Sequence, residues 1–207
     1  EWCTSLEALF LPKTLKWIGN EVFHSCRSLR LLILPHDIDP GDGGGDMIED
    51  TAIYKIAKTA GVEYEYEVEY SDDDELFWAT EESIHRANES LYHESIMRVN
   101  EWLIHHMDEA PFHTLCYKSS VTTKQINDYL DEHGNDTAAA IDPHHGMNPL
   151  HMLSMNPHAP SDAIAALLDV KADNAFGLDN QGKMPLDYAR DYNVNGLIAM
   201  IKGLCNH

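Results

Sequence analysis

The chain has 207 residues, 43% of them hydrophobic and 24% charged, so it is long enough to bury a core in one or two domains. Aspartate and glutamate number 35 against 14 lysines and arginines, which gives a formal net charge of −21. A field of that sign repels nucleic-acid phosphates and anionic lipid, so we expect neither as a partner. No apolar run approaches the ~20 residues of a membrane-spanning helix, and we predict no membrane insertion.

The chain begins at Glu1 without a methionine, inside a repeated pattern, so we interpret it as a fragment with further copies before Glu1. Its four cysteines, Cys3, Cys26, Cys116 and Cys205, show neither CxxC nor zinc-ligand spacing. The absence of a disulfide framework favours reduced thiols and an intracellular compartment. The compartment itself and the oligomeric state are left open by the sequence.

The first repeated pattern joins CTSLEALFLP (3–12) and CRSLRLLILP (26–35), which share Cys, Ser-Leu and Leu-Pro after 23 residues. This period lies in the range of leucine-rich repeats, in which each copy adds one strand to a parallel stack. We therefore predict neighbouring strands near residues 6–11 and 29–34. Core positions on the returning side are expected at Leu15, Ile18 and Phe23.

The order Ser-Leu, Leu-Pro, Ile-Gly, Phe and Cys over residues 3–35 resembles the BspA-type leucine-rich repeat. The resemblance implies that residues 1–36 are the C-terminal end of a truncated array. Stacking would set Cys3 and Cys26 about one strand spacing apart, ~4.8 Å, which is near disulfide range. We favour the alternative that the two cysteines fill one buried column as free thiols.

Residues 37–78 are predicted to be an acidic connector. Four aspartates (37, 39, 42 and 46) suggest calcium, but the order of an EF-hand loop is absent, so we favour a solvated loop. A helix is predicted over 47–61, ending at Gly61, and the alternation of VEYEYEVEY (62–70) predicts an edge strand. SDDDE (71–75) then indicates a domain boundary.

Residues 79–109 contain no glycine or proline, and apolar residues recur every three to four positions, so we predict a linking helix. His85, Glu89 and His93 follow one another at steps of four and would lie on one stripe of it. Such a stripe can bind a metal ion, but in a histidine-rich acidic chain a solvated face is the interpretation we favour. We predict no metal and no cofactor.

Three later stretches align on Pro111, Pro149 and Pro185, with apolar residues at the same offsets from each proline. Proline suits the first position of a helix, where its missing N–H costs little, and Asn148 is a good N-cap. Thr122 and Gln125 form a predicted capping box for a second helix. The pattern predicts a helical hairpin, stacked three times.

The opening GMNPLH (146–151), weakened to GKMPLD (182–187), resembles that of the ankyrin repeat, and KAD (171–173) resembles the motif that follows its second helix. The usual threonine is replaced by Ala110, Asn148 and Met184. The resemblance implies that residues 110–207 form a small all-α ankyrin-like solenoid. The expected fold is thus an α+β repeat protein, a leucine-rich stack joined to this solenoid.

Three histidines crowd HHGMNPLHML (144–153), which raises the question of an active site. In the ankyrin-like interpretation His151 is structural, tying neighbouring turns by hydrogen bonds, and His113 fills the same place in the preceding copy. His144 and His145 are expected to project from a finger that begins at Asp142. Four residues are candidate partner contacts: His144, His145, Asn180 and Gln181.

Motifs for nucleophilic or nucleotide chemistry are absent from the chain: there is no GxSxG, GxxxxGK[ST] or GxGxxG sequence. GDGGGD (41–46) is rich in glycine, but its carboxylates would repel a phosphate. We therefore predict no enzyme activity and a scaffold that binds a protein partner of unknown identity through repeat surfaces. The alternative function is a metal- or pH-responsive binding protein that uses its histidine-rich segments.

Overall fold

The computed structural model describes residues 3–19, 21–41, 47–62 and 93–206. These are mostly helical with one pair of short strands, which confirms the α+β class. The chain divides into two compact units. The first contains Glu1–Leu9 and Lys13–His105, and the second contains Phe10–Pro12 and His106–His207.

The strands of the first unit are β1 (Ala8–Leu9) and β2 (Leu31–Leu32). They pair in parallel with Ala8 opposite Leu31, a register of 23 positions, so the predicted neighbouring strands are confirmed. Each strand has two residues, fewer than predicted. Turns at residues 4–5 and 27–28 precede the strands, and Pro12 and Pro35, which lack an N–H donor, follow shortly after them.

Ile18 and Phe23 are buried in the core of this unit, as predicted, whereas Leu15 is only half-buried. Cys26 is buried but Cys3 is exposed, so the expected common buried column is wrong for Cys3. Cys3 lies at the start of the described chain, and its side chain is exposed to solvent. All four cysteines are free.

Helix α1 (Ala52–Thr59) begins later than predicted because Thr51 caps it, its hydroxyl accepting from Tyr54 N at 3.1 Å. The helix ends before Gly61, whose φ is +86°. Ile53 N donates to Leu29 O at 2.8 Å, which ties the start of α1 to the residues before β2. The strand predicted over 62–70 lies outside the described residues beyond position 62.

The described part of helix α2 spans residues 93–105, with Ile96, Val99 and Leu103 buried. The helix stops four residues before the predicted end at 109. Residues 106–109 form turns, and Ala110, directly before Pro111, has non-helical dihedral angles (φ −126°, ψ 63°), as expected for a residue that precedes a proline. His85 and Glu89 of the predicted metal stripe lie outside the described residues, and His93 is exposed.

The second unit consists of helices in three successive pairs. They are α3 (Pro111–Tyr117) and α4 (Thr123–His133), α5 (Pro149–Met155) and α6 (Ser161–Val170), and α7 (Pro185–Tyr192) and α8 (Val194–Asn206). Short 3-10 turns (Asn135–Ala139 and Ala172–Phe176) follow the first two pairs. A proline occupies the first position of α3, α5 and α7, as predicted. The predicted caps at Thr122 and Asn148 are both present as capping boxes.

Each pair packs on the next. Helix α5 lies between α3 and α7, and α6 lies between α4 and α8. Asn156 Nδ2 donates to Cys116 O at 3.0 Å and to Lys118 O at 2.8 Å. One pair further on, Asn193 Nδ2 donates to Asn156 O at 2.9 Å.

Along the described ranges, every helix is too short or too polar to cross a membrane.

Candidate functional site

The first of two neighbouring turns in the second unit spans residues 142–147 and is organised by the buried Asp142. Its carboxylate accepts from the backbone N–H groups of His144 (3.1 Å), His145 (2.7 Å) and Met147 (2.8 Å). Asp142 N also donates to Met147 O at 2.9 Å. One carboxylate therefore satisfies three backbone donors and holds this turn in a single conformation.

The second turn spans residues 179–183 and is built in the same way. The Asp179 carboxylate accepts from Gln181 N at 2.8 Å and from Lys183 N at 2.9 Å. Its other oxygen accepts from the Tyr188 hydroxyl at 2.5 Å, and Asp179 N donates to Lys183 O at 3.0 Å. Asp142, expected to begin a finger, and Asp179 thus each organise one of the two turns.

The two turns are joined through Asn180. Its backbone N–H donates to His145 O at 3.0 Å, and its side-chain Nδ2 donates to His144 O at 3.2 Å. Gly146 makes this approach possible: its φ is +69°, and a Cβ there would lie 2.3 Å from Asn180 Oδ1. The turns therefore form one continuous surface element.

Two buried histidines donate hydrogen bonds to backbone carbonyl groups of the turns. His113 Nε2 donates to Met147 O at 2.8 Å, and His151 Nε2 donates to Lys183 O at 3.1 Å. A carbonyl oxygen only accepts, so Nε2 carries the proton in both rings. Both histidines are buried, and their hydrogen bonds to the turns are of the kind expected for a structural role.

The neutral form of His113 is favoured by its surroundings. Burial lowers the pKa of His113, while the nearby Asp142 carboxylate and the bond to Met147 O act in the opposite direction. His151 makes a second hydrogen bond, because Asn148 N donates to its Nδ1 at 3.1 Å. Both imidazoles serve as hydrogen-bonding supports.

The expected exposure of the His144–His145 pair is wrong. His145 is only 1% exposed and His144 is half-buried, whereas Asn180 and Gln181 are exposed. The backbone at 144 and 145 turns inward to Asp142, and both rings contact that of His106, with centroids 5.9 and 6.0 Å away. His106 was not singled out by the sequence, because no local pattern links it to a turn 38 residues later.

The three imidazoles of His106, His144 and His145 raise the question of a metal. Zinc–nitrogen distances of about 2.0–2.1 Å place the ring centres of two tetrahedral ligands about 5 Å apart. In this cluster the ring centroids are 5.9 to 6.5 Å apart. The rings are therefore too widely spaced to hold one ion together without moving, and the metal-responsive alternative stays a prediction.

Two apolar residues beside the turns are not singled out by any motif in the sequence. Ile141 and Leu178 directly precede the two organising aspartates, and they are 59% and 61% exposed. Phe176 is also exposed nearby in sequence. The signal was present as an apolar-aspartate pair in both copies, but the pattern does not tell whether such a residue faces the core or solvent.

Comparison of the chain with protein-family models, curated proteins and solved structures gives no significant match.

Proposed function

We propose that this chain is a non-catalytic protein-interaction module built from repeats. In this proposal the first unit contains the last coils of a BspA-type leucine-rich stack, and the second unit is a small ankyrin-like array. The two turns of the second unit form its partner-binding surface.

The leucine-rich assignment is supported by register. Strand β1 pairs with β2 at the 23-residue spacing of the sequence repeat. The same spacing separates Glu7 from Arg30, whose side chains form an ion pair. Equivalent positions are therefore neighbours in space, as stacking requires.

The ankyrin-like assignment is supported by bonds that recur from one helix pair to the next. His113 and His151 each follow a helix-opening proline by two residues, and each donates to a carbonyl of the following turn. Asn156 and Asn193 each donate to carbonyls of the preceding pair. Two independent kinds of contact thus repeat together.

The observation that carries the proposed binding function is the exposure of Ile141 and Leu178. Both are more than half exposed, and each directly precedes a turn that hydrogen bonds fix. Exposed apolar side chains favour contact with a partner, and a fixed backbone lowers the entropy lost on binding. Asn180 and Gln181 add exposed hydrogen-bonding groups beside them.

These features favour a protein over other partners. The formal charge of −21 opposes nucleic acid and anionic lipid. His144 borders the surface, while the buried His145 contributes by holding the turn rather than by direct contact. Neither an enzyme activity nor a cofactor is part of the proposal.

The test compares proteins captured from a lysate of the source organism by three forms of the chain. These are the wild type, the double variant Ile141→Glu with Leu178→Glu, and the control Val22→Glu, which changes an exposed apolar residue of the first unit. We expect a reproducible set of proteins to bind the wild type and the control but not the double variant.

Folding is checked by circular dichroism and thermal unfolding, since both substituted side chains are exposed and should leave the core intact. Retention of the whole captured set by a folded double variant would contradict the assignment of binding to the turns.

A further inference from the structure

Helix α8 presents a second apolar surface that the proposed turn site does not use. Val194, Ile198 and Ile201 are between 46% and 61% exposed, and Cys205 is exposed as well. At about 100° per residue these four positions fall within about 60° of one another around the helix axis. We call this row the α8 stripe.

The opposite side of α8 is packed as closely as a helix permits. A Cβ at Gly196 would lie 2.3 Å from Ile164 Cδ1, and one at Gly203 would lie 3.0 Å from Leu168 Cδ1. Met200 is fully buried on that side. The helix is therefore fixed against α6, and the α8 stripe faces away from it.

The composition of α8 is unfavourable for a solvated helix end. It contains two glycines, and its exposed face carries a valine and two isoleucines, all of them poorer helix formers than alanine or leucine. In water, valine and isoleucine at these exposed positions add no stability to the helix. Their stabilising contribution arises when another apolar surface covers the stripe.

The spacing of the stripe fits a helix as its occupant. Successive members are separated by four, three and four residues, which is the alternation along the seam of two helices packed side by side. The seam extends over about 17 Å at 1.5 Å per residue. A partner helix of about three to four turns matches that length.

The distribution of charge in the chain indicates which kind of partner helix would bind. The chain carries a formal charge of −21, yet none of its acidic residues lies in α8, whose single charged residue is Lys202. A cationic partner is attracted by the whole molecule and finds no carboxylate to desolvate along the seam. A second copy of this chain would bring an equal negative charge and be repelled.

We propose that the α8 stripe is a docking site for a cationic amphipathic helix of another protein. Its apolar residues, spaced four and three apart, would pack on Val194, Ile198 and Ile201, with lysines or arginines on its outer face. This site is separate from the turns and does not depend on the proposed function.

The test uses a synthetic, end-capped, fluorescent peptide of about 14 residues with leucines at the seam positions and lysines elsewhere. A scrambled peptide of identical composition has no common apolar face. Binding is measured by fluorescence anisotropy at about 0.15 M salt, which limits unspecific attraction. We expect the patterned peptide to bind at least about tenfold more tightly than the scrambled one.

Two variants locate the binding. Ile201→Glu removes an apolar anchor but makes the protein more negative, and Met97→Glu makes the same change at an exposed residue of α2. If the stripe binds the peptide, Ile201→Glu weakens binding by about tenfold or more despite its added attraction for lysine, while Met97→Glu does not. Val194→Glu replaces Ile201→Glu if that variant fails to fold. Val194 lies in the first turn of α8, where a carboxylate interacts favourably with the helix dipole.

Three results would overturn the proposal. In the first, the scrambled peptide binds as tightly as the patterned one, which would show that net charge alone accounts for the binding. Alternatively, the stripe variants would bind no more weakly than Met97→Glu. Finally, light scattering would give the mass of a dimer that the stripe variants return to a monomer, which would assign the stripe to a second copy of the chain.

Discussion

Arg30 lies beside Glu7, with Nε 3.5 Å from Oε2, and their side chains are only 2% and 21% exposed. The backbone reinforces the pairing, because Arg30 N donates to Glu7 O at 3.0 Å. Two opposite charges thus occupy equivalent positions of the 23-residue repeat. A guanidinium held this deeply depends on a nearby carboxylate to offset its desolvation.

We therefore expect Glu7→Gln to lower the unfolding free energy by about 2–3 kcal/mol, somewhat less than for a fully buried pair. Asp37→Asn is the matched control, because it breaks the exposed ion pair with Lys16 and should leave stability nearly unchanged. Urea unfolding of both variants makes the comparison. Equal stability losses would show that burial of Arg30 does not require the Glu7 charge.

The histidines of the HHGMNPLHML segment should differ in their contribution to stability. His151→Ala removes the donor to Lys183 O and the acceptor of Asn148 N, and should cost about 1–3 kcal/mol. His144→Ala, at a half-buried position, should change stability by less than about 0.5 kcal/mol. His145→Ala should lie between them because its ring is buried.

Thermal and denaturant unfolding of these three variants, with the exposed Gln181→Ala as control, measures the order. A fully stable His151→Ala protein would contradict the structural role of that ring.

His113 should make stability depend on pH. Its pKa is lowered by burial from the ordinary value of 6.5, so as pH falls the unfolded chain takes up the proton first. The stability that His113 contributes is present above about pH 6.5 and is lost as pH falls from there toward its lowered folded value. His113→Gln keeps a donor for Met147 O but cannot titrate.

The wild type should accordingly lose more unfolding free energy between about pH 7 and about pH 5 than His113→Gln does. His133→Gln, at an exposed position, provides the control and should follow the wild type. Parallel pH profiles for all three proteins would argue against a neutral buried His113.

Two glycines allow the cost of backbone strain to be measured separately from the cost of a steric collision. Gly146 and Gly182 both have positive φ, +69° and +72°, so alanine at either position costs about 1 kcal/mol or more in backbone strain. Only Gly146 is crowded, with Asn180 Oδ1 at 2.3 Å from a would-be Cβ, while nothing lies within 4 Å at Gly182.

Gly146→Ala should therefore be clearly less stable than Gly182→Ala in thermal unfolding, because it must also displace Asn180. Adding Asn180→Ala to both backgrounds checks the cause, since it should narrow the difference. If the difference in stability between the two glycine variants persists unchanged, the collision at position 146 does not involve the Asn180 side chain.

The parts of this structure that were predictable from sequence are those set by short-range rules. The 23-residue repeat predicted the pairing of Ala8 with Leu31, and capping chemistry predicted the helix starts at Thr123 and Pro149. Whether a given residue is buried or exposed was harder to predict from the sequence. His145 was expected in solvent, but Asp142 draws its backbone inward and His106 packs against its ring.

The candidate binding surface was predicted only in part. Asn180 and Gln181 are exposed as expected, but no motif in the sequence singles out Ile141 and Leu178. An apolar residue before a turn has the same local pattern whether it faces the core or water. The difference depends on which neighbouring pair covers it, and that information lies 30 to 40 residues away in sequence.

The asparagine bonds of the second unit have a consequence for how the protein opens. The Asn156 side chain donates to Cys116 O and Lys118 O of the pair before it, and the Asn193 side chain donates in the same way to Asn156 O. Because each link concerns immediate neighbours, detaching α7 and α8 breaks one set of links and leaves the bonds between the earlier pairs intact. Stability in such an arrangement is graded along the chain, and partial opening begins at a terminal pair at a fraction of the free energy of global unfolding.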